Sequence, residues 1–342
     1  MSLSTWAQSG ITPVDSLRGR GELQNDKREG RWTFFNSTGR LVQRGQFENG
    51  MKTGRWLFFD EYGSMMGVGQ YEDDQAEGEW KFYYPNGQLK SMNYLDNGIR
   101  DSVYTEYHYN GKISVEGQFE DDVPTGIWKT YYETGSIYSA GEYVAGLKSG
   151  IWKYYNIDGV LIAEGAYRLD MEHGQWFKYH DEGQLQSVGS FVMGEEDGPW
   201  GLFYINGQLI QEEKWSMGRL MNVGPYMTIT GDTLDSGTFK NGEGIKLAYF
   251  NTGELETKIE YKNGKPNGEW VSYFKGGRVS AEGKMKDGLQ VGVWTYFYDN
   301  GNVESTGEFV EDNKSGLWKY YTRTGRLIEV VEHTADEEEE QL

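Results

Sequence analysis

Few residues in this sequence are of the types that enzymatic chemistry requires and also stand at the spacing that it requires. The four histidines, His108, His173, His180 and His333, form none of the spacings typical of metal sites, and the chain contains no cysteine. No nucleophile elbow, P-loop or dinucleotide fingerprint stands between a strand and a helix. We therefore expect a protein that is not an enzyme and that has no metal site and no cofactor.

Carboxylates form clusters that recur along the chain. The runs are Glu72-Asp73-Asp74, Glu120-Asp121-Asp122, Glu195-Glu196-Asp197 and Glu311-Asp312. Clustered carboxylates can bind Ca²⁺ through hard oxygen ligands, but the ordered spacing of calcium-binding loops is missing. We interpret the runs as a solvated acidic rim that opposes aggregation. Calcium binding and capture of a basic partner are the alternatives.

A ladder of tyrosines has the spacing of a recognition surface. Its members stand 24 residues apart at Tyr83, Tyr107, Tyr131, Tyr155 and Tyr179. Tyrosine rings stack and their hydroxyls form hydrogen bonds, which suits recognition of a protein or a glycan. Regular packing of ring on ring within the fold is our first interpretation. If the ladder faces solvent, it is the leading candidate binding stripe.

The tyrosines belong to a 24-residue period that runs through most of the chain. Its thirteen copies are marked by Gly39, Gly63, Gly87, Gly111, Gly135, Gly159, Gly183, Gly207 and Gly231 and, after one 22-residue step, by Gly253, Gly277, Gly301 and Gly325. Ten copies place a tryptophan seven residues before that glycine: Trp32, Trp56, Trp80, Trp128, Trp152, Trp176, Trp200, Trp270, Trp294 and Trp318. A period of this length is typical of a repeat array, and these tryptophans are its structural positions.

Each copy contains two short apolar segments separated by two turns. Asn86-Gly87 marks one kind of turn and Asn97-Gly98 the other, and no helical periodicity is present. The sequence predicts an all-β fold: an elongated array of about thirteen 24-residue β-hairpins forming a twisted antiparallel meander sheet. In strict alternation Trp152 and Tyr155 point to opposite faces, so either both faces carry aromatic rings or a bulge intervenes.

A further glycine recurs once per copy, at a fixed distance after the tryptophan, and we call it the spacer glycine. It is present at Gly45, Gly69, Gly117, Gly141, Gly165, Gly189, Gly237, Gly283 and Gly307. Because glycine has no side chain, we expect this position to leave room for an indole on a neighbouring strand.

The pattern divides the chain into five parts. We predict an N-terminal cap at 1–29, regular repeats 1–8 at 30–221, irregular repeats 9 and 10 at 222–267, regular repeats 11–13 at 268–331 and an acidic tail at 332–342. In the cap, Trp6 could fold over the first sheet edge. The run from Asp336 to Glu340 is interpreted as a solvated tail, with docking to a basic partner as the alternative.

Repeats 9 and 10 depart most from the pattern. Gly224 and Lys246 occupy their tryptophan positions, and Trp215 stands where Phe or Tyr is usual. The irregularity fits a kink, a domain-like division near residue 222, or a binding site that includes Trp215, Gly224, Tyr226 and Lys246. The sequence leaves these three readings open.

Charge limits the classes of partner. The formal net charge is −20 and the pI is near 4.7, so the chain repels phosphate backbones and anionic lipids. We expect no nucleic-acid partner and consider an anionic membrane unfavourable. The first 50 residues are an exception, with seven basic residues against five acidic ones. Because no signal peptide and no long apolar run is seen, we expect a cytoplasmic protein.

The repeat G-x-W-x-x-[FY]-x-x-x-G-x-[LIV]-x-x-x-G-x-[FY]-x-x-G resembles the MORN repeat variant found in many bacterial proteins, some of which are labelled antitoxin-like. Residues Gly150, Trp152, Gly159, Gly165 and Tyr167 show the pattern clearly. The resemblance covers residues 30 to about 331. It implies a single-sheet stack of hairpins with a role in binding or scaffolding, and it brings no catalytic residues. Related MORN proteins have been connected with membrane tethering, dimerisation and protein assembly.

The function that the sequence favours is a non-enzymatic protein-binding scaffold with an extended β-sheet surface. An antitoxin or immunity protein that neutralises a basic toxin is the first alternative. A glycan-binding or membrane-tethering module is the second.

Overall fold

The computed structural model describes residues 17–334, and these form strands and turns with no helix. The predicted all-β array of hairpins is therefore confirmed. Trp6 and the acidic run from Asp336 to Glu340 lie outside the described residues.

The chain divides into two compact units between residues 171 and 172. The strands of the first unit are β1 (Arg18–Gln24), β2 (Lys27–Phe35), β3 (Leu41–Glu48), β4 (Met51–Phe59), β5 (Met65–Glu72), β6 (Gln75–Tyr83), β7 (Leu89–Asp96), β8 (Ile99–Arg100), β9 (Ser102–Tyr107), β10 (Ile113–Glu120), β11 (Val123–Tyr131), β12 (Ile137–Val144), β13 (Leu147–Tyr155) and β14 (Leu161–Arg168).

The second unit contains the remaining strands. They are β15 (Met171–Tyr179), β16 (Leu185–Val192), β17 (Glu195–Glu196), β18 (Gly198–Phe203), β19 (Leu209–Ser216), β20 (Arg219–Val223), β21 (Tyr226–Met227), β22 (Thr233–Leu234), β23 (Gly244–Tyr249), β24 (Leu255–Lys262), β25 (Lys265–Tyr273), β26 (Val279–Lys286), β27 (Leu289–Phe297), β28 (Val303–Val310), β29 (Asn313–Tyr321) and β30 (Leu327–His333). In both units most successive strands pair antiparallel, as in the β4–β5–β6 series. The short strands β21 and β22 pair with each other as a separate two-stranded sheet, and β23 to β30 form an eight-stranded sheet.

Two kinds of turn connect the strands, as the two sets of glycine and asparagine positions predict. Between β4 and β5, the Gly63 N–H donates to the carbonyl of Asp60 (3.2 Å) and φ of Gly63 is 94°. Between β5 and β6 the turn has only two central residues, Asp73 and Asp74, with φ of 47° and 66°. Positive φ at both central residues is the geometry of a type I′ turn, whose twist matches that of the strands.

A stack of aromatic rings forms the core of each regular repeat. The Trp56 side chain is fully buried and stacks on Phe34 and Phe58, with ring centroids 6.0 and 6.4 Å away. Phe47 and Tyr71 meet it edge-on at 5.2 and 5.7 Å. A buried ring of this size contributes roughly 4–6 kcal/mol of apolar transfer free energy before the entropy costs of folding. Rings from adjacent repeats therefore stabilise each other.

Basic side chains cover part of this ring stack. Lys52 Nζ lies 4.9 Å from the Trp56 ring centroid, and Lys148 Nζ lies 4.5 Å from that of Trp152. Cations over indole faces are attracted by the ring quadrupole. The lysine four residues before the tryptophan thus shields the indole from water and contributes a cation–π contact.

The spacer glycine of one repeat lies beneath the indole of the next. A Cβ at that glycine would stand less than 3.0 Å from the indole, a separation that real Cβ atoms essentially never show. The pairs are Gly45 with Trp56, Gly69 with Trp80, Gly117 with Trp128, Gly141 with Trp152, Gly189 with Trp200, Gly283 with Trp294 and Gly307 with Trp318. The expected packing role is confirmed at these positions. Gly237 differs, because its nearest neighbour is the main chain of Ile245.

Side chains fill the spacer position where the following indole is absent or displaced. Asn93 precedes Tyr104, which replaces a tryptophan. Ile259 precedes Trp270, and Trp270 is only half-buried whereas Trp56 is fully buried. A larger residue in the spacer position therefore accompanies a missing or poorly seated indole.

Candidate functional site

The sheet has two different faces, which we call the indole face and the open face. The indole face is the side on which Trp128 and its equivalents lie, and the open face is the opposite side. Because side chains alternate along a strand, Ile127, Lys129 and Tyr131 project from the open face. Both faces therefore carry aromatic rings. The pairing of β11 with β12 also shifts register between Thr130 and Tyr131, so both features that the sequence offered as alternatives are present.

The predicted tyrosine stripe lies on the open face, and all five of its members are half-buried. Tyr131 shows how they are held. Its hydroxyl donates to Glu116 Oε1 (2.6 Å), which also accepts from Lys129 Nζ (2.9 Å). The hydrogen bond from Tyr131, followed by that from Lys129, lowers the pKa of Glu116. Burial, followed by the Glu116 contact, raises the pKa of Tyr131 to about 12. At neutral pH the site therefore holds a neutral phenol beside a carboxylate.

We expect Tyr131→Phe to raise the pKa of Glu116 toward its ordinary value, because the largest contribution to its lowering is lost. The depressed pKa stabilises the fold above the unfolded pKa of Glu116, and that contribution disappears as pH falls through the folded pKa. The variant should therefore lose less stability on acidification. A carboxylate ¹³C NMR titration measures the pKa, with Tyr155→Phe as the control that should leave Glu116 unaltered. An unchanged Glu116 pKa in Tyr131→Phe would contradict the assignment.

The main-chain carbonyls of the stripe tyrosines accept hydrogen bonds that sequence analysis missed. The Tyr84 hydroxyl donates to the carbonyl of Tyr107 (2.7 Å), and the Tyr132 hydroxyl donates to that of Tyr155 (2.9 Å). His108 Nε2 lies 2.8 Å from the carbonyl of Tyr131 and must carry the proton, because a carbonyl oxygen only accepts. These bonds connect hairpins one repeat apart. The sequence signal for these bonds is that Tyr or His recurs just before the turn in several repeats.

In the irregular repeats, the structure brings Trp215 and Lys246 together around Glu213. Lys246 Nζ lies 2.6 Å from Glu213 Oε1, and Trp215 Nε1 donates to Glu213 Oε2 (3.0 Å). The Glu213 side chain is 8% exposed and that of Lys246 is 16% exposed. Burial, followed by the Glu213 charge, raises the pKa of nearby Tyr261 to about 12. The segment thus contains a buried ion pair where regular repeats contain indoles.

Glu213 was absent from the candidate residues, although the sequence carries a signal for it. It follows Trp200 as Gly45 follows Trp32, so it occupies the spacer position that most repeats give to glycine. The next tryptophan position holds Gly224, so no indole needs the space. A carboxylate in place of glycine, next to a missing tryptophan, predicts a polar replacement for the ring stack.

Gly224 and Tyr226 make structural contacts of their own. The Gly224 N–H donates to the carbonyl of Glu212 (2.7 Å), and its carbonyl accepts from the buried Gln211 side chain (2.9 Å). The Tyr226 hydroxyl donates to the carbonyl of Tyr249 (2.5 Å). Burial, followed by its contact with Tyr204, raises the pKa of Tyr226. Among the four predicted residues, Trp215 and Lys246 share contacts with one group, Glu213.

A family model agrees with this architecture of paired strands and paired turns. The model described as MORN repeat variant matches six segments, at residues 76–97, 100–121, 124–145, 172–193, 242–263 and 290–311. The chain is a MORN-variant repeat protein. The matched segments begin near the start of the strand that bears the tryptophan, or Tyr104 or Lys246 in its place. They end in the two-residue turn, so they coincide with the structural repeat of the MORN-variant array.

Comparisons with whole proteins add little to the description of this MORN-variant protein. No curated protein matches it. Similar solved structures include TcdB2-TccC3 without its hypervariable C-terminal region, at 14% identity and a TM-score of 0.17, covering 92% of this chain and 22% of that one. Another is the Photorhabdus luminescens Tc holotoxin pore, at 12% identity and a TM-score of 0.14, covering 89% and 18%. The MORN-variant chain spans about a fifth of their length, and scores this low support no functional argument.

The acidic turns of the MORN-variant array have a structural use. The Asp74 carboxylate accepts the Lys52 N–H (2.7 Å), and the Asp122 carboxylate accepts the Arg100 N–H (3.0 Å). Part of the acidic rim is therefore bonded to main chain. Among the described residues, no group of three or more His, Asp or Glu could hold a metal ion. No helix in residues 17–334 is long and apolar enough to cross a membrane.

Proposed function

We propose that this protein is a non-enzymatic protein-binding scaffold whose partner docks on the open face. A pair of exposed isoleucines in the first unit carries the proposal: Ile127 is 59% exposed and Ile151 is 57% exposed. They occupy the same position one repeat apart, which is two strands or about 10 Å. Each is flanked on its own strand by a half-buried stripe tyrosine four residues later, Tyr131 or Tyr155.

Aliphatic and tyrosine side chains together form the kind of surface that proteins recognise. Apolar groups lose water on contact with a partner, and tyrosine hydroxyls supply hydrogen bonds at low entropy cost. The second unit repeats the arrangement with Val293 and Leu317, which are 67% and 58% exposed. Aliphatic residues at one repeat position in both units support a surface for a macromolecular partner.

Charge supports a basic partner. In the described part of the chain, exposed carboxylates that make no main-chain bond, such as Glu72 and Glu120, border the two-residue turns. In a chain of net charge −20 these groups attract basic surfaces and repel nucleic acid and anionic lipid. A basic toxin neutralised by an antitoxin is one partner of this chemistry, and a glycan on the tyrosine stripe is the alternative ligand.

The test compares two versions of the open face. We expect I127K/I151K to weaken partner capture at least tenfold, because it removes both apolar contacts. Surface changes of this kind should alter the free energy of unfolding by about 0.5 kcal/mol or less, and the lysine that replaces Ile127 would face Glu142 across the strands. Affinity purification from the native organism with quantitative mass spectrometry measures capture.

Leu169→Lys is the matched control. Leu169 is 62% exposed but lies in a two-residue turn, so its replacement should leave capture intact. A protein partner retained equally by the double variant and the control would place docking elsewhere. Capture of a single basic, toxin-like protein would favour the antitoxin role, and binding to glycans alone would contradict the scaffold.

A further inference from the structure

A cavity on the open face of the first two repeats is lined by three arginines. Its volume is about 460 Å³, and Arg31, Arg44 and Arg55 lie around it with Thr33 and Leu57. None of its lining residues is acidic. The chain as a whole carries a net charge of −20, so this concentration of positive charge is exceptional within it.

The arginines come from three neighbouring strands, β2, β3 and β4. Arg44 stands opposite Thr33 on one side and opposite Leu57 on the other. Directly paired residues of antiparallel strands project from the same face, and Arg31 and Arg55 alternate with the buried Trp32 and Trp56. The three guanidinium groups therefore share the open face, and Thr33 and Leu57 lie between them.

Within residues 17–334 the three guanidinium groups form no ion pair and no hydrogen bond. Arg44 only lies over the Phe59 ring, 5.6 Å from its centroid. Two other cations of the first unit are paired, since Arg100 bonds Asp122 at 2.8 Å and Lys129 bonds Glu116 at 2.9 Å. The cavity thus holds three positive charges that the protein itself leaves unneutralised.

The repeat architecture does not require arginine at these positions. Ile127 and Ile151 stand where Arg31 and Arg55 stand in the first two repeats, and Glu116 occupies the position of Arg44. The same strands and the same indole packing form with those residues. The fold therefore does not depend on arginine at these three positions.

We infer that this cavity is a binding site for a soluble small molecule that carries a diphosphate group. A guanidinium presents planar, paired N–H donors that match phosphate oxygens, and it stays charged at all physiological pH values. A phosphate monoester carries about −1.5 to −2 charges, so a single phosphate does not balance three guanidiniums but two linked phosphates nearly do. The cavity volume lies in the range of small-molecule sites, roughly 300–1,000 Å³. Leu57 offers apolar contact to the organic part.

This inference does not rest on the scaffold role, and it is tested with the purified full chain. Isothermal titration calorimetry with inorganic pyrophosphate at constant ionic strength should show one site. The variant R31Q/R44Q/R55Q should bind at least tenfold more weakly. The variant K81Q/K129Q/K153Q is the matched control, because it removes three positive charges from the same face that pair with Glu79, Glu116 and Glu164. The control should bind as the unaltered chain does.

A parallel titration with citrate separates phosphate recognition from general attraction of anions. Citrate carries a comparable charge on carboxylates, and we expect it to bind at least tenfold more weakly than pyrophosphate. Absence of pyrophosphate binding to the unaltered chain would overturn the inference. So would equal losses in the two triple variants, which would show an effect of net charge alone, or equal affinity for citrate and pyrophosphate.

Discussion

Gly69→Ala is expected to destabilise the β5–β6 region by about 3 kcal/mol, the upper part of the range for overpacked cores. The new methyl group would lie less than 3.0 Å from three atoms of the Trp80 indole. Trp80 is fully buried, and its ring stacks on Phe58 at 5.7 Å and meets Tyr71 edge-on at 5.3 Å. Its ring also stacks on Phe82 at 6.2 Å, so the indole can move only by displacing rings of its own repeat and of the preceding one.

Hydrogen exchange is the appropriate measurement, because repeat arrays open locally and each repeat depends on its neighbours. Amides of β5 and β6 should lose protection in Gly69→Ala, while amides of distant repeats in the same unit should keep it. Gly224→Ala is the control, since a Cβ there would meet its nearest atoms at an ordinary 3.5 Å. We expect it to change stability by less than about 0.5 kcal/mol.

A double-mutant cycle tests whether the indole itself causes the effect. In a Trp80→Leu background the methyl group of Gly69→Ala meets a smaller side chain, so its additional cost should fall to about 1 kcal/mol or less. If the cost of Gly69→Ala is the same with and without the indole, the explanation by Trp80 is wrong.

The glycine and tryptophan positions explain why the sequence predicts the fold so well. An indole that packs over a spacer glycine on the preceding strand requires tryptophan at one position and glycine at the other, as at Trp80 and Gly69. Both residue types can be read from the sequence. Turn positions can be predicted for a similar reason, because residues with positive φ favour asparagine, aspartate or glycine. The preference is not strict, since Leu169 and Glu311 also adopt positive φ in two-residue turns. Local patterns of this kind depend on near neighbours alone, so a single sequence contains them.

The open face was harder to predict. Alternation places Tyr131 on the face opposite Trp128, but how its hydroxyl is held depends on Glu116 of the neighbouring strand β10 and on Lys129 of its own strand β11. The hydrogen bond from the Tyr84 hydroxyl to the carbonyl of Tyr107 joins residues 23 apart. Every residue has a main-chain carbonyl, so the sequence does not indicate which one accepts. The site candidates named from sequence therefore stay predictions, and their neighbours became visible only with the strand register.

Lys246→Met is expected to destabilise the irregular repeats by about 3–5 kcal/mol, the cost of leaving a buried charge without its partner. Methionine fills similar volume, so the lost volume is small, while Glu213 keeps its carboxylate in a site that is 8% exposed. Trp215 Nε1 remains its hydrogen-bond donor at 3.0 Å, which does not replace a positive charge. Urea unfolding followed by tryptophan fluorescence, with hydrogen exchange across β19 and β23, measures the change.

The second variant of the pair decides whether the charge is responsible. Glu213→Gln in the Lys246→Met background removes the orphaned charge and keeps an acceptor for Trp215, so at least half of the lost stability should return. Lys129→Met is the exposed counterpart: Lys129 and Glu116 are 40% and 33% exposed, and breaking such a pair costs about 0–1 kcal/mol. If Lys246→Met costs no more than Lys129→Met, water reaches the Glu213 pair in solution. The irregular segment would then be open to solvent, and a buried Glu213–Lys246 ion pair would not be what stabilises it in place of the indoles.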